Sequence, residues 1–141
     1  MSGFWRTWFM VWCISIGIFG AVLSGGAFEA TSGPVRLVLS NLHGPSAALF
    51  DPPLRFSLAV MGAVSIGWTV TLFFMIGAAI DLKENGRPLW NAISAGMVSW
   101  FVIDSTLSVA TGFGLNVVPN IALAGMYVVG LLGSGVLKKS A

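Results

Sequence analysis

The chain has 141 residues, of which seven are Lys or Arg and five are Asp or Glu, giving a net charge of +2 on a sequence that is 56% hydrophobic. Soluble domains carry charges on roughly a quarter of their residues, so 9% with a mean hydropathy of +0.90 excludes an ordinary water-soluble fold. Once apolar spans of about 20 residues are subtracted, no length remains for a separate soluble catalytic domain.

The basic residues form no patch interleaved with aromatics, so nucleic acid is not expected as a partner. The single cysteine, Cys13, lies in an apolar run and excludes an intrachain disulfide and CxxC redox or zinc spacing. The single histidine, His43, is placed in a loop as a structural or solvent-facing residue. No GxGxxG, Walker loop, His/Glu metal cluster or Ser-His-Asp set occurs, so no particular cofactor is implied. One intramembrane carboxylate is a thin catalytic inventory, and a non-enzyme is expected. A lipid-modifying enzyme using Asp104 as acid or base would need a partner residue that the sequence does not name.

Taken in chain order, residues 7–28 carry no charge and are long enough to cross about 30 Å of hydrocarbon. A signal peptide is disfavoured, because an apolar core holding Trp8 and Trp12 is long for that purpose. The second span is 56–80, preceded by the helix-start signature Asp51-Pro52-Pro53 and ended by the polar turn from Asp81 to Pro88. The third, 88–111, starts with Pro88 in its first turn and breaks at Gly112-Phe113-Gly114. The fourth, 117–137, tolerates Pro119 in its first turn and stops at Lys138-Lys139. An all-α integral membrane protein is expected: a single four-transmembrane-helix bundle with an outer loop over 29–55. Within that loop, Pro34 to Leu42 is apolar enough for a short helix on the membrane surface, or for an ordered loop packed over the bundle.

Four spans put Arg6, Lys83, Arg87, Lys138 and Lys139 on one side, and only Arg36 and Arg55 on the other. The excess of basic residues predicts that both termini are cytoplasmic, in a bacterial inner membrane. Trp5, Trp8, Trp12 and Trp90 would then form an aromatic belt at the cytoplasmic interface.

Asp104 is the one charge inside a span, where an ionisable group costs several kcal/mol unless it faces protein, water or a partner. It falls about 24 Å along its helix, in the outer half of the membrane. Asn91, Ser94, Met97, Phe101, Ser105 and Ser108 share its face. Ser65 on the second span, and Asn120 and Tyr127 on the fourth, lie at comparable depth, with Trp68 and Trp100 near the membrane middle. These residues could line a cavity for a small or lipophilic ligand. Asp104 could equally be a structural hydrogen-bond partner of Asn120 or Tyr127, and the tryptophans core packing.

Small residues recur at Cys13, Gly17, Gly20 and Ser24, and at Gly62, Ser65 and Thr69, a pattern that lets helices approach closely. Glycines 125, 130, 133 and 135 on the last span suit docking against a neighbouring helix or a second protomer. Two functions are therefore expected to compete. One is binding or transport of a lipophilic molecule around Asp104; the other is a non-catalytic accessory or self-assembling subunit of a membrane complex. The partners are membrane lipid, a lipophilic small molecule, and a homo-oligomer or larger membrane assembly.

Overall fold

The structure, a computed structural model, describes residues 1–43 and 50–137. Residues 44–49 of the outer loop, and the Lys138-Lys139 pair used to orient the chain, lie outside the described residues. Among the described residues there are five α-helices: α1 Gly3–Ser24, α2 Gly33–His43, α3 Pro52–Asp81, α4 Arg87–Ala110 and α5 Val117–Ser134, joined in part by short 3-10 turns. There is no strand among the described residues. All but α2 are long and apolar enough to cross a membrane. At 1.5 Å per residue, α1 with 22 residues runs about 33 Å and α3 with 30 residues about 45 Å.

The helix ends follow from local chemistry. The Asp51 carboxylate accepts the Leu54 N–H at 2.9 Å, which makes Asp51 the N-cap of α3, and the two prolines fill the positions where no N–H is needed. α4 ends in a Schellman motif: Gly112 takes φ 86°, Phe113 N–H bonds the Ser108 carbonyl at 2.8 Å, and Gly112 N–H bonds that of Val109 at 3.2 Å. Gly135, at φ 69°, closes α5 in the same left-handed conformation.

Some boundaries differ from those expected. α1 begins at Gly3 rather than residue 7, which brings Arg6 into the helix, and it ends at Ser24, where Gly25 and Gly26 continue as a 3-10 turn. Charge near the water boundary does not break a helix, because the long side chain can reach out of the hydrocarbon. α5 stops at Ser134 because Gly135 caps it. The segment expected as surface helix or loop is the helix α2, and His43 stands on its last turn rather than in a loop.

The chain, read from its sequence as one domain, groups into two compact units: Ile14–Val70, and Met1–Cys13 with the chain from Thr71 onward. In the first, α1 and α3 run antiparallel in close contact. A Cβ on Gly20 would lie 2.9 Å from Ser65 Cβ and 3.0 Å from the Gly62 carbonyl oxygen, and one on Gly62 would collide with the Ser24 nitrogen and Oγ. Thr69 fits against Gly17 and Leu58 against Gly26, so the small-residue stripes are used within the chain. Above this crossing, Leu23, Val35, Phe50 and Leu58 form a buried cluster that seats α2.

An ionic clamp covers the cluster. Arg36 donates to both Glu29 carboxylate oxygens at 3.1 Å and lies 4.0 Å from the centre of the Phe50 ring. Arg55 pairs with Glu29 and donates to the Phe50 carbonyl at 2.9 Å and the Gly26 carbonyl at 3.3 Å. The Arg55 hydrogen bond, then the neighbouring positive charges, hold the Glu29 carboxyl below its ordinary range.

In the second unit, α1 and α5 are antiparallel. Trp8 Nε1 donates to the Met126 carbonyl and Trp12 Nε1 to that of Leu123, each at 3.0 Å. Gly130 and Gly133 give room for Phe9, Trp8 and Trp5. These glycines therefore dock a helix of the same chain. Arg6 pairs with Asp81 at 3.2 Å, so the start of α1 and the end of α3 lie at one end of this unit. Gly86 packs onto the Ala79 carbonyl, leaving no space for a side chain in the α3–α4 turn. The expected belt is revised here. Trp12 and Trp90 are fully buried: the Leu123 carbonyl takes the Trp12 N–H, and Trp90 is held by packing, with its ring 5.0 Å from that of Phe9.

Outward faces are apolar: Val64 and Phe74 on α3, Val102 and Ile103 on α4, and Val118 and Leu132 on α5 are all more than half exposed. Such a surface is stable against hydrocarbon and unstable against water.

Candidate functional site

α4 and α5 face each other along residues repeating at four and three. Trp90, Ser94, Met97, Phe101, Asp104 and Ser108 form the α4 side, with Asn120, Tyr127 and Leu131 opposite, all buried or half-buried. Asn91, placed on this face by its sequence position, is exposed. The Schellman turn and the 3-10 turn Gly114–Asn116 then fold the chain back so that Asn116 returns over the end of α4.

Asp104 is the centre of a polar cluster at that end. Asn116 Nδ2 donates to Asp104 Oδ2 at 3.1 Å and to Ser108 Oγ at 3.0 Å. Asn120 Nδ2 donates to the same Oδ2 at 2.5 Å and to Ser105 Oγ at 3.2 Å. Both amides thus serve one carboxylate oxygen. Among the described residues no donor reaches Oδ1, and no Lys, Arg or His pairs with Asp104. Two amide N–H groups supply part of the solvation that hydrocarbon lacks, each bond to a charged acceptor contributing about 1.5–3 kcal/mol. They leave half of the carboxylate to whatever lies beside it.

The residues expected around one cavity separate into groups. Asp104, Ser108 and Asn120 are brought together. Trp100 is half-buried one turn before Asp104 on the same face, with Phe101 in edge contact at 6.5 Å. Tyr127 bonds elsewhere: its hydroxyl pairs with Ser94 at 2.9 Å, about 10 Å along α5 from Asn120. There it packs in an aromatic group with the Trp12 ring at 5.3 Å and the Phe9 ring at 6.2 Å. Ser65 donates to its own helix at Met61 O, 2.8 Å away, and its Cβ faces Gly20 in the Ile14–Val70 unit, where Trp68 is half-buried.

Asn116 was missed as a site residue because it reads as a turn. Its signal was spacing: Asn116 and Asn120 are one helical turn apart, across a short connection from Ser108 and Asp104. The aromatic group also holds the single buried side-chain polar atom without a hydrogen-bond partner among the described residues, Trp90 Nε1.

Among the described residues no group of His, Cys, Asp and Glu has the makings of a metal site. No protein-family profile, curated protein or solved structure matches the chain. The class of protein defined by fold and composition is therefore a small polytopic membrane protein with four apolar helices.

Proposed function

We propose that this chain is a non-catalytic integral protein of a bacterial inner membrane that binds or transports a small or lipophilic ligand at Asp104, with Ser108, Asn116 and Asn120 as the supporting residues. One observation carries this reading: two amides hold one oxygen of an intramembrane carboxylate while the other has no donor among the described residues. An oxygen satisfied only in part at that depth is costly, and a ligand donor would offset the cost. Cytoplasmic termini are supported by the Arg6–Asp81 pair and by Trp5 against Gly133, which gather Arg6, Lys83 and Arg87 at one end of their unit.

Asp104→Asn is the direct test. The replacement keeps an oxygen for both amides and removes the charge, so the fold is expected to hold while ligand binding or transport falls. Unchanged binding at unchanged thermal stability would overturn the proposal. Mass spectrometry of the protein released from native membranes identifies any lipophilic molecule that leaves with it.

Gly96 favours a second reading, as a self-assembling or accessory subunit. Nothing lies within 4 Å of its Cβ position, and Ala92, Ala95 and Ser99 beside it are exposed. Gly96→Leu should then shift the oligomer to monomer on size exclusion; an unshifted peak removes this reading.

A further inference from the structure

The ligand chemistry follows from what the Asp104 cluster offers and withholds, and it rests on the reading of Asp104 as a binding site. We infer that Asp104 with Trp100 recognises the ammonium group of a lipophilic amine. Both asparagine side chains turn their N–H groups toward the carboxylate, so the positive ends of two amides already face Oδ2. A hard metal ion would need several converging oxygens, whereas Oδ1 is the carboxylate atom left over. An ammonium group needs one strong acceptor and a nearby π face.

Trp100 supplies that face. It stands four residues before Asp104, one helical turn away on the same face, and is half-buried. No basic residue among those described competes for the charge. The flanking Ile103, Leu107 and Ile121 are exposed to 59%, 57% and 56%, an aliphatic surface suited to an alkyl chain.

The test uses the full chain purified in dodecyl maltoside, with thermal unfolding followed against added dodecylamine hydrochloride, dodecanol and sodium dodecanoate. Dodecylamine is expected to raise the midpoint in a saturable way, and the other two are not. Asp104→Asn should weaken the apparent affinity for dodecylamine at least about ten-fold, one strong charge-assisted contact. Trp100→Leu should weaken it about three-fold or more.

Equal protection by dodecanol and dodecylamine, lost in Asp104→Asn, would overturn the ammonium assignment while leaving binding at Asp104 standing. Protection by dodecylamine that survives both substitutions would overturn both. Stabilisation by sodium chloride but not choline chloride, lost in Asp104→Asn, would replace the amine with a metal cation. No protection by dodecylamine also overturns the inference. Should Asp104→Asn fail to fold, unchanged affinity in Trp100→Leu is sufficient to reject it.

Discussion

Gly62→Ala tests the close backbone approach of α1 and α3. The added Cβ would overlap the Ser24 nitrogen, the Ser24 Oγ and the Gly20 carbonyl oxygen, and two of these three obstacles are backbone atoms that no rotamer change can move. The helices must part, which loosens Thr69 against Gly17 and Leu58 against Gly26. Overpacking of this kind costs about 3 kcal/mol at the upper end of its usual range, and the gain in helix propensity returns at most about 1 kcal/mol. A net loss of about 2 kcal/mol is expected. Gly96→Ala is the control, because its new methyl meets nothing within 4 Å and the same propensity gain stands alone. The two variants should differ by about 3 kcal/mol when tryptophan fluorescence follows unfolding by SDS in dodecyl maltoside micelles. The close-approach account would be falsified if Gly62→Ala came within about 0.5 kcal/mol of Gly96→Ala, below the scale of any clash.

Two tryptophans make an opposed pair: Trp12→Phe loses the bond to the Leu123 carbonyl, whereas Trp90→Phe removes a donor that has no acceptor. In the same unfolding assay Trp12→Phe should be the more costly by about 1–3 kcal/mol, and equal costs would refute the assignment of the indole bonds. Tyr127→Phe should cost about 1 kcal/mol and leave dodecylamine affinity unchanged, since its hydroxyl serves Ser94 and not Asp104. The Glu29 carboxyl titrates below its ordinary 4.5 in the folded chain, so the clamp stabilises fully above that value and is lost as pH falls through the lowered one. An acid unfolding series should therefore show Glu29→Gln less sensitive than the parent below about pH 4.5, and parallel curves would count against the clamp.

Much of the frame was legible in the sequence because hydrocarbon leaves few choices. An uncharged run long enough to span must be helical to satisfy its own backbone, and Asp51-Pro52-Pro53 marks a start that only one cap geometry fits. The small-residue stripes marked faces suited to close approach, but which helix each face meets, α1 against α3, is visible only in the fold. At the site, Asp104 and Asn120 were legible together because depth can be counted along each helix, but depth alone cannot tell which side a residue faces. Tyr127 has a depth that suits Asp104, yet its hydroxyl reaches Ser94. Glu29, Arg36 and Arg55 look like scattered loop charges in the sequence and meet only when α2 folds onto α3. Trp12 and Trp90 misled because tryptophan near a helix start suits both an interfacial belt and a buried core, and neighbours not adjacent in sequence decide between them.

The bonds from Trp8 and Trp12 to the carbonyls of Met126 and Leu123 join the first helix of the chain to the last. During synthesis α1 is made long before α5, so until α5 follows, its indole N–H groups need other acceptors, such as water or lipid carbonyls. Arrival of α5 replaces those temporary acceptors with permanent ones. Pairing of these donors is therefore tied to the synthesis of α5, and a chain that ends before α5 would leave both indoles on such temporary acceptors.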